Sequence, residues 1–259
     1  MTCTHNPLPL DLYCDTPLST LLDPETVASV RDTPLTGIRV YAEDSSGKRV
    51  VERDDLDRVA ETYAGLSIRS VFWPRPVFGR EYALWVAEMS WYGSPVYDVE
   101  HQATKERDRL VLSRRLEGIR SLWNPTVTTH PGHPEASPGA LVGLGARPMS
   151  FETQAYSTSS RARVYPTRGR PGAWQKYCVE DAVAARGDVP EVALALYRQT
   201  SIRGLSPVDA MATAFSEALA QGAPAVSFWS LKHLLSSRYA RAFMTERLGE
   251  LLPGEEDTQ

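Results

Sequence analysis

The sequence predicts a single (β/α)₈ barrel whose chemistry lies at the carboxyl ends of the strands. Eight short apolar runs occur along the 259 residues, and each is followed by a helical pattern or by a loop with helical residues. The length matches the ~250 residues that such a barrel typically needs. A doubly wound open sheet is the structural rival, but no Gly-rich phosphate loop follows the first run.

The composition limits the classes of function. Hydrophobic residues make up 42% of the chain and charged residues 23%, as in an ordinary soluble domain with a sizeable core. The net charge of −4 gives no basic footprint for nucleic acid or an acidic membrane surface. No apolar stretch approaches the ~18 residues of a membrane span, and the N-terminus lacks the features of a secretory signal. We therefore expect cytoplasmic synthesis, no nucleic-acid or membrane partner, and export only by another route.

The predicted strands are short runs rich in apolar, β-branched and aromatic residues, bounded by turn or charged residues. For example, the first run ends at Asp15-Thr16-Pro17 and the third at Pro74-Arg75-Pro76. The predicted strands lie near residues 10–14, 37–42, 68–73, 95–100, 125–129, 148–156, 191–197 and 225–229.

Helical spacing of apolar residues predicts the helices between these strands. The predicted helices span residues 24–30, 54–63, 80–92, 104–122, 173–186, 207–221 and 238–251. The sixth of these has the best-defined ends. Ser206 caps its start, Pro207 occupies the first helical position, and Gly222 ends it.

Polar residues at the carboxyl ends of the predicted strands are the candidates for a site, because active sites of this barrel lie there. The candidates are Asp11, Asp15, Glu43, Asp44, Arg75, Asp98, Glu100, His130, His133, Glu152, Gln154, Arg198, Gln199, Ser230 and Lys232.

The most specific candidate is the pair of acids on the fourth predicted strand. Alternate strand residues share a face, so Asp98 and Glu100 point the same way, and burial among outer helices would be costly. We therefore expect both to point inward, where repulsion and desolvation separate their pKa values, as glycoside hydrolysis requires. The alternative is ordinary ion pairing with interior cations. The available cations are Arg39, Arg75, Arg198 and Lys232.

Three strands also resemble a known group of enzymes. Residues 96–100 (VYDVE) resemble the DxE strand of family 18 chitinases and family 25 lysozymes. The last predicted strand, residues 225–231 (AVSFWSL), is similar to the closing strand of chitinase-like barrels, whose Trp forms a floor for the sugar. The sequence Gln154-Ala155-Tyr156 resembles the polar residue and the Tyr that lie beside the reacting N-acetyl group.

The resemblance implies a glycosidase acting on an N-acetylated polysaccharide such as peptidoglycan or chitin, without a cofactor or metal. Glu100 is then the general acid, and Asp98 stabilises the participating acetamido group of the substrate. Tyr156 donates a hydrogen bond to that group, and Trp229 stacks on the sugar ring. The further residues that we expect to bind substrate are Gln154, Glu152, Trp73, Glu43, Asp11 and Arg75.

The chain also departs from these families, which leaves a second hypothesis open. Val96 and Gly93 stand where the chitinase signature has further Asp residues. The first-strand Asp of the lysozymes is matched only loosely, by Asp11 or Asp15. The alternative is therefore a non-catalytic barrel that serves as a binding or assembly module, with a protein partner.

Other features suggest further possibilities. His130 and His133 follow the fifth strand and define a third hypothesis, a metal-dependent hydrolase, although Pro131 and Gly132 place them in a turn. We expect the three cysteines to be free thiols, with Cys14 the only candidate nucleophile. The Arg-rich stretch 161–170 is interpreted as a solvated loop or as a surface for an anionic glycan or a protein. The remaining tryptophans are predicted to be packing residues, namely Trp85, Trp91 and Trp123.

Overall fold

The computed structural model describes residues 8–44, 46–73, 79–99, 113–114, 116–118, 125–131, 134, 136–146, 149–156, 170–196 and 204–253. The singled-out residues that lie outside these ranges are Cys3, Arg75, Glu100, Trp123, His133, Arg198, Gln199 and residues 161–169. Of the predicted helix 104–122, the described residues 113–114 and 116–118 are helical.

Eight parallel strands close into one barrel in sequence order, which confirms the predicted fold class. The strands are β1 (Leu10–Cys14), β2 (Gly37–Tyr41), β3 (Ser67–Phe72), β4 (Val96–Tyr97), β5 (Thr126–Thr129), β6 (Ser150–Gln154), β7 (Glu191–Ala195) and β8 (Val226–Trp229). The pairing of Leu10 with Val226 and of Tyr13 with Trp229 joins β1 to β8 and closes the ring.

Helices surround the barrel. They are α1 (Leu18–Leu21), α2 (Pro24–Arg31), α3 (Arg53–Thr62), α4 (Arg80–Met89), α5 (Pro138–Leu141), α6 (Ala173–Arg186), α7 (Pro207–Ala220), α8 (Leu231–Ser236) and α9 (Arg238–Ala242). The predicted cap of α7 is confirmed, since Ser206 Oγ accepts a hydrogen bond from the amide of Asp209 at 3.1 Å. Within the described residues, no helix combines the length and the apolar character that a bilayer crossing needs.

The boundaries differ from the prediction at two helices. The third predicted helix, 80–92, ends at Met89, where Ser90 folds its hydroxyl back onto the carbonyl of Val86 at 2.7 Å. The last predicted helix, 238–251, divides into α9, a π-helical turn at Phe243–Arg247 and a 3₁₀ turn at Gly249–Leu251.

Strand β4 is shorter than the predicted 95–100, but its faces are as predicted. Tyr97 and Val99 belong to the core between the strands and the helices, where the ring of Tyr97 stacks on Phe72 at 5.5 Å. Val96 packs inside the barrel with Tyr13 and Val71. Asp98 follows in the inward-facing register.

The amino-terminal half of the barrel interior is filled by ion pairs. Arg39, fully buried on β2, pairs with Asp11 at 2.8 Å, with Glu152, and with Glu191 at 2.7 Å. Arg69 on β3 also pairs with Glu191, at 3.0 Å. Each carboxylate therefore has a cation within contact distance, which offsets the cost of removing these charges from water. We call these five residues the floor cluster.

Other polar groups complete the floor cluster. Tyr13 donates its hydroxyl hydrogen to Glu152, and Ser227 donates to the same carboxylate at 2.7 Å. Arg69 donates to the hydroxyl of Thr126 at 2.6 Å. Strands β1, β2, β3, β5, β6, β7 and β8 all contribute to this network, so its bonds link nearly the whole ring.

Replacing Arg39 should destabilise the fold. In an Arg39→Met variant, similar in length but uncharged, three buried carboxylates lose their shared cation, and we expect a loss of ~3–5 kcal/mol of unfolding free energy. Equilibrium denaturation in urea measures the change. Arg58→Met is the control, because the Arg58 side chain is 64% exposed and should cost little. Equal losses in the two variants would contradict the central role of Arg39.

The acid sensitivity of the fold should involve Glu191. Burial alone would raise its pKa, but Arg39 and Arg69 outweigh burial and hold the pKa below the usual 4.5. The stabilisation from its ionised form is therefore present above the unfolded-state pKa and is lost as the pH falls through the lower folded-state pKa.

A Glu191→Gln variant should be less stable than the original chain at neutral pH by ~2 kcal/mol. The difference should shrink as the pH falls below about 4.5, because the original chain then loses the same charge. Urea denaturation over a pH series measures this, with the exposed Glu180→Gln as control. A stability difference that stays constant down to the lowest pH would refute the assignment.

Candidate functional site

A cavity of about 490 Å³ opens at the carboxyl ends of the first strands, within the size range of ligand sites. Its lining comes from β1, β2, β3 and β8 and from the segments that follow them. The lining residues are Cys14, Asp15, Thr16, Pro17, Leu18, Leu21, Val40, Tyr41, Glu43, Asp44, Val50, Val51, Trp73 and Trp229. The barrel directs these groups to one place because the carboxyl ends of parallel strands meet at one rim.

Aromatic rings form one wall of this cavity. Tyr41 lies 5.9 Å from Trp73 and 5.9 Å from Trp229 between ring centroids, edge-on in the second pair. Tyr13 supports the wall from below, with its ring centroid 5.4 Å from that of Trp229. Trp229 ends β8, and its peptide bond to Ser230 is cis. Such rings offer flat apolar faces with polar edges, a surface suited to ring-shaped polar ligands.

A buried carboxylate lies beside the aromatic wall. Glu43 follows β2, has no exposed surface and lines the cavity. It accepts hydrogen bonds from the Tyr82 hydroxyl at 3.1 Å and from the backbone amide of Trp73 at 3.2 Å. The ends of β2 and β3 are thereby joined through one side chain.

Asp98, from the predicted pair, points into the barrel as expected. It accepts hydrogen bonds from the hydroxyls of Tyr41 and Thr128, each at 3.2 Å, and it is 5% exposed. Burial raises the pKa of the Tyr41 hydroxyl, and the charge of Asp98 raises it further. Tyr41 therefore stays protonated near neutral pH and donates to the carboxylate. Glu100, the predicted partner of Asp98, lies outside the described residues.

The sixth strand also contributes to the carboxyl-end rim. Gln154 ends β6 and is 4% exposed, and its Oε1 has no hydrogen-bond partner within the part of the chain that the structure describes. Tyr156, two residues further on, is close enough for its hydroxyl to raise the pKa of Tyr41. The predicted residues Tyr156 and Asp98 thus both lie near Tyr41.

Three predicted substrate-binding residues, Asp11, Glu152 and Gln154, do not line the cavity, and the first two lie deeper in the barrel. Asp11 is near the start of β1, and its carboxylate pairs with Arg39 in the floor cluster. Glu152 sits in the middle of β6, has no exposed surface, and accepts hydrogen bonds from Arg39, Tyr13 and Ser227. The sequence predicts both of these acids to lie at the carboxyl ends of strands, whereas the structure places their carboxylates in the floor cluster.

Tyr41 is the site residue that sequence reasoning missed. It is absent from the sequence candidates, which are mostly charged residues at the ends of the strands. The signal was present, since Tyr41 alternates with Arg39 on β2 and must share its inward face. Trp91 is a second correction. It was predicted to pack in the core, but it is 75% exposed after α4, with Arg53 over its ring.

The metal and thiol hypotheses gain no support from the described residues. Across those residues, no group of three or more His, Cys, Asp or Glu side chains is placed to hold a metal ion. His130 is 6% exposed, and His133 lies outside the described ranges. Cys14 and Cys178 are buried free thiols, and burial raises the pKa of both well above that of a reactive cysteine.

Comparison with known proteins places the fold. No family model matches the chain, and no curated protein sequence matches it. Among solved structures, a class V chitinase from Pseudomonas fluorescens Pf-5 is 12% identical, with a TM-score of 0.56 over 92% of this chain and 99% of that one. This likeness shows the fold alone, a (β/α)₈ barrel.

Two further structures have similar barrels. The catalytic domain of a mannanase from Streptomyces sp. SirexAA-E is 13% identical, with a TM-score of 0.56 over 86% of this chain and 75% of that one. An endoglucanase from Thermotoga maritima is 12% identical, with a TM-score of 0.52 over 86% of this chain and 89% of that one. These proteins act on different glycans, so the likeness concerns the architecture and not a particular substrate.

Proposed function

We propose that this glycosidase-like barrel is a glycoside hydrolase that acts on an N-acetylated polysaccharide such as peptidoglycan or chitin. The observation that carries the proposal is the aromatic-walled cavity at the carboxyl ends of the strands, with the buried carboxylates of Glu43 and Asp98 close to its rings. Sugar rings present apolar C–H faces and hydroxyl edges. Aromatic faces and carboxylates together match both.

The proposed chemistry keeps the roles that the sequence suggests. Glu100 protonates the glycosidic oxygen as its bond to the anomeric carbon breaks, and the acetamido oxygen of the substrate, stabilised by Asp98, bonds to that carbon. Water then opens the cyclic intermediate, and Glu100 takes back a proton from that water. The inward orientation of Asp98 and its hydrogen bond from Tyr41 support this role, since both fix the position of the carboxylate. Tyr156 donates to the acetamido group, while Trp229 and Trp73 stack on the sugar.

Removal of the acid should abolish turnover and leave binding intact. For a Glu100→Gln variant, we expect a fall in kcat of ~10²–10⁴-fold on N-acetylglucosamine oligomers or cell-wall glycan, because a general acid contributes that much. Product analysis by chromatography measures the rate. Glu88→Gln on the exposed side of α4 is the matched control and should retain activity.

The outcomes distinguish an active glycoside hydrolase from a non-catalytic barrel. Unchanged hydrolysis by the Glu100→Gln variant would reject Glu100 as the acid. Binding of glycan by the original chain without any hydrolysis would favour the non-catalytic barrel and overturn the enzyme proposal.

Loss of the aromatic wall should weaken glycan binding. A Trp229→Ala variant removes one stacking face, and we expect the Kd for N-acetylglucosamine oligomers to rise by about tenfold. Titration calorimetry measures the affinity, and thermal unfolding verifies that the variant is folded. Trp91→Ala is the matched control, because it removes an exposed Trp elsewhere on the molecule. An equal effect of both substitutions would argue against a sugar site at Trp229.

A further inference from the structure

The sign of the charges in the cavity lining bears on which kind of sugar the cavity would bind. The charged residues among its described lining are Asp15, Glu43 and Asp44, all acidic. No Lys or Arg belongs to the described part of that lining. A concave site with one sign of charge and low-dielectric walls concentrates ligands of the opposite sign.

Two of these carboxylates are held in place at the cavity rim by the backbone. Asp44 Oδ1 accepts hydrogen bonds from the hydroxyl of Ser46 at 2.6 Å and from the amides of Ser46 and Lys48 at 2.9 and 3.0 Å. The hydroxyl of Ser46 and these amides hold the pKa of Asp44 below its usual value, so the group is ionised near neutral pH. Asp15 Oδ1 accepts from the amide of Lys232 at 3.3 Å. Each carboxylate accepts these bonds through Oδ1, and the same bonds hold its second oxygen in place.

The aromatic wall favours the same sign of ligand. The faces of Tyr41, Trp73 and Trp229 carry negative charge density, and an ammonium group within ~6 Å of such a face is attracted to it. Lys48 and Lys232 adjoin Asp44 and Asp15 through their backbone amides, and the charge of Lys48 contributes to the lowered pKa of Asp44. Neither residue is part of the described lining.

We propose that the cavity binds a sugar unit with a free, protonated amino group, so that the preferred glycan is a partly deacetylated N-acetylated polysaccharide. The inference rests on the proposed function and narrows its substrate. The amine lies between the carboxylates of Asp15 and Asp44 and the aromatic wall, and an N-acetylated unit occupies the neighbouring position toward Asp98. An anionic glycan is disfavoured at this cavity.

The test compares two ligands of equal length. Titration calorimetry compares a partly deacetylated N-acetylglucosamine tetramer with the fully acetylated tetramer, at low ionic strength and at a mildly acidic pH that keeps the amines protonated. We expect the partly deacetylated tetramer to have a Kd about fivefold to tenfold lower, in line with one or two partly exposed charge interactions. Added salt should reduce this preference, because it screens exposed charges.

Variants locate the effect. Asp15→Asn and Asp44→Asn keep an oxygen for the backbone hydrogen bonds and remove the charge, and each should reduce the preference by about threefold. Asp32→Asn is the matched control, because it changes the net charge equally at an exposed position that does not line the cavity. A preference that persists in both cavity variants, or that falls equally in the control, would overturn the inference.

The results also separate this inference from the proposed function. Equal affinity for the two tetramers, or tighter binding of the acetylated one, would reject the amine preference and leave glycan binding in place. Binding of neither tetramer would contradict both proposals.

Discussion

The buried guanidinium of Arg39 is the interaction on which the rest of the structure depends. It lies on β2 and reaches carboxylates on β1, β6 and β7, so one cation connects strands from opposite sides of the ring. Together with Arg69 it pairs with three acids whose burial without a cation would be costly. An apolar interior would close a barrel equally well. The ionic one links particular strands, because Arg39 on β2 pairs with acids on β1, β6 and β7.

The interior is thereby divided along the barrel axis. Ion pairs fill the amino-terminal half, and aromatic rings from Tyr13, Tyr41 and Trp229 lie above them. Tyr13 belongs to both halves, since its hydroxyl donates to Glu152 in the floor cluster and its ring contacts the aromatic wall. The cavity therefore rests on a layer of ion pairs and hydrogen bonds, which helps the side chains above it to keep a fixed geometry.

The fold was predictable because the alternation of a strand pattern with a helical pattern occurs eight times along the chain. An error in the bounds of one strand does not change that number. The inward orientation of Asp98 was predictable for a similar reason, since strand alternation and the cost of burying charge agree. The depth at which each acid lies in the barrel was not predictable. Asp11 and Asp98 look alike in sequence, but pairing with Arg39 holds the first in the floor cluster, while Tyr41 holds the second near the rim. Such pairings join distant segments, and no local pattern records them.

Tyr41 combines two tasks in one side chain. Its ring forms part of the aromatic wall, and its hydroxyl donates to Asp98. A mutation to Phe would keep the wall and lose the bond, and a mutation to Ser would lose the wall. An aromatic face of the cavity and a hydrogen bond to a carboxylate are thus encoded at a single codon. Evolutionary drift at that codon would alter both properties together, so that related barrels with a different residue there are expected to differ in more than one aspect of their chemistry.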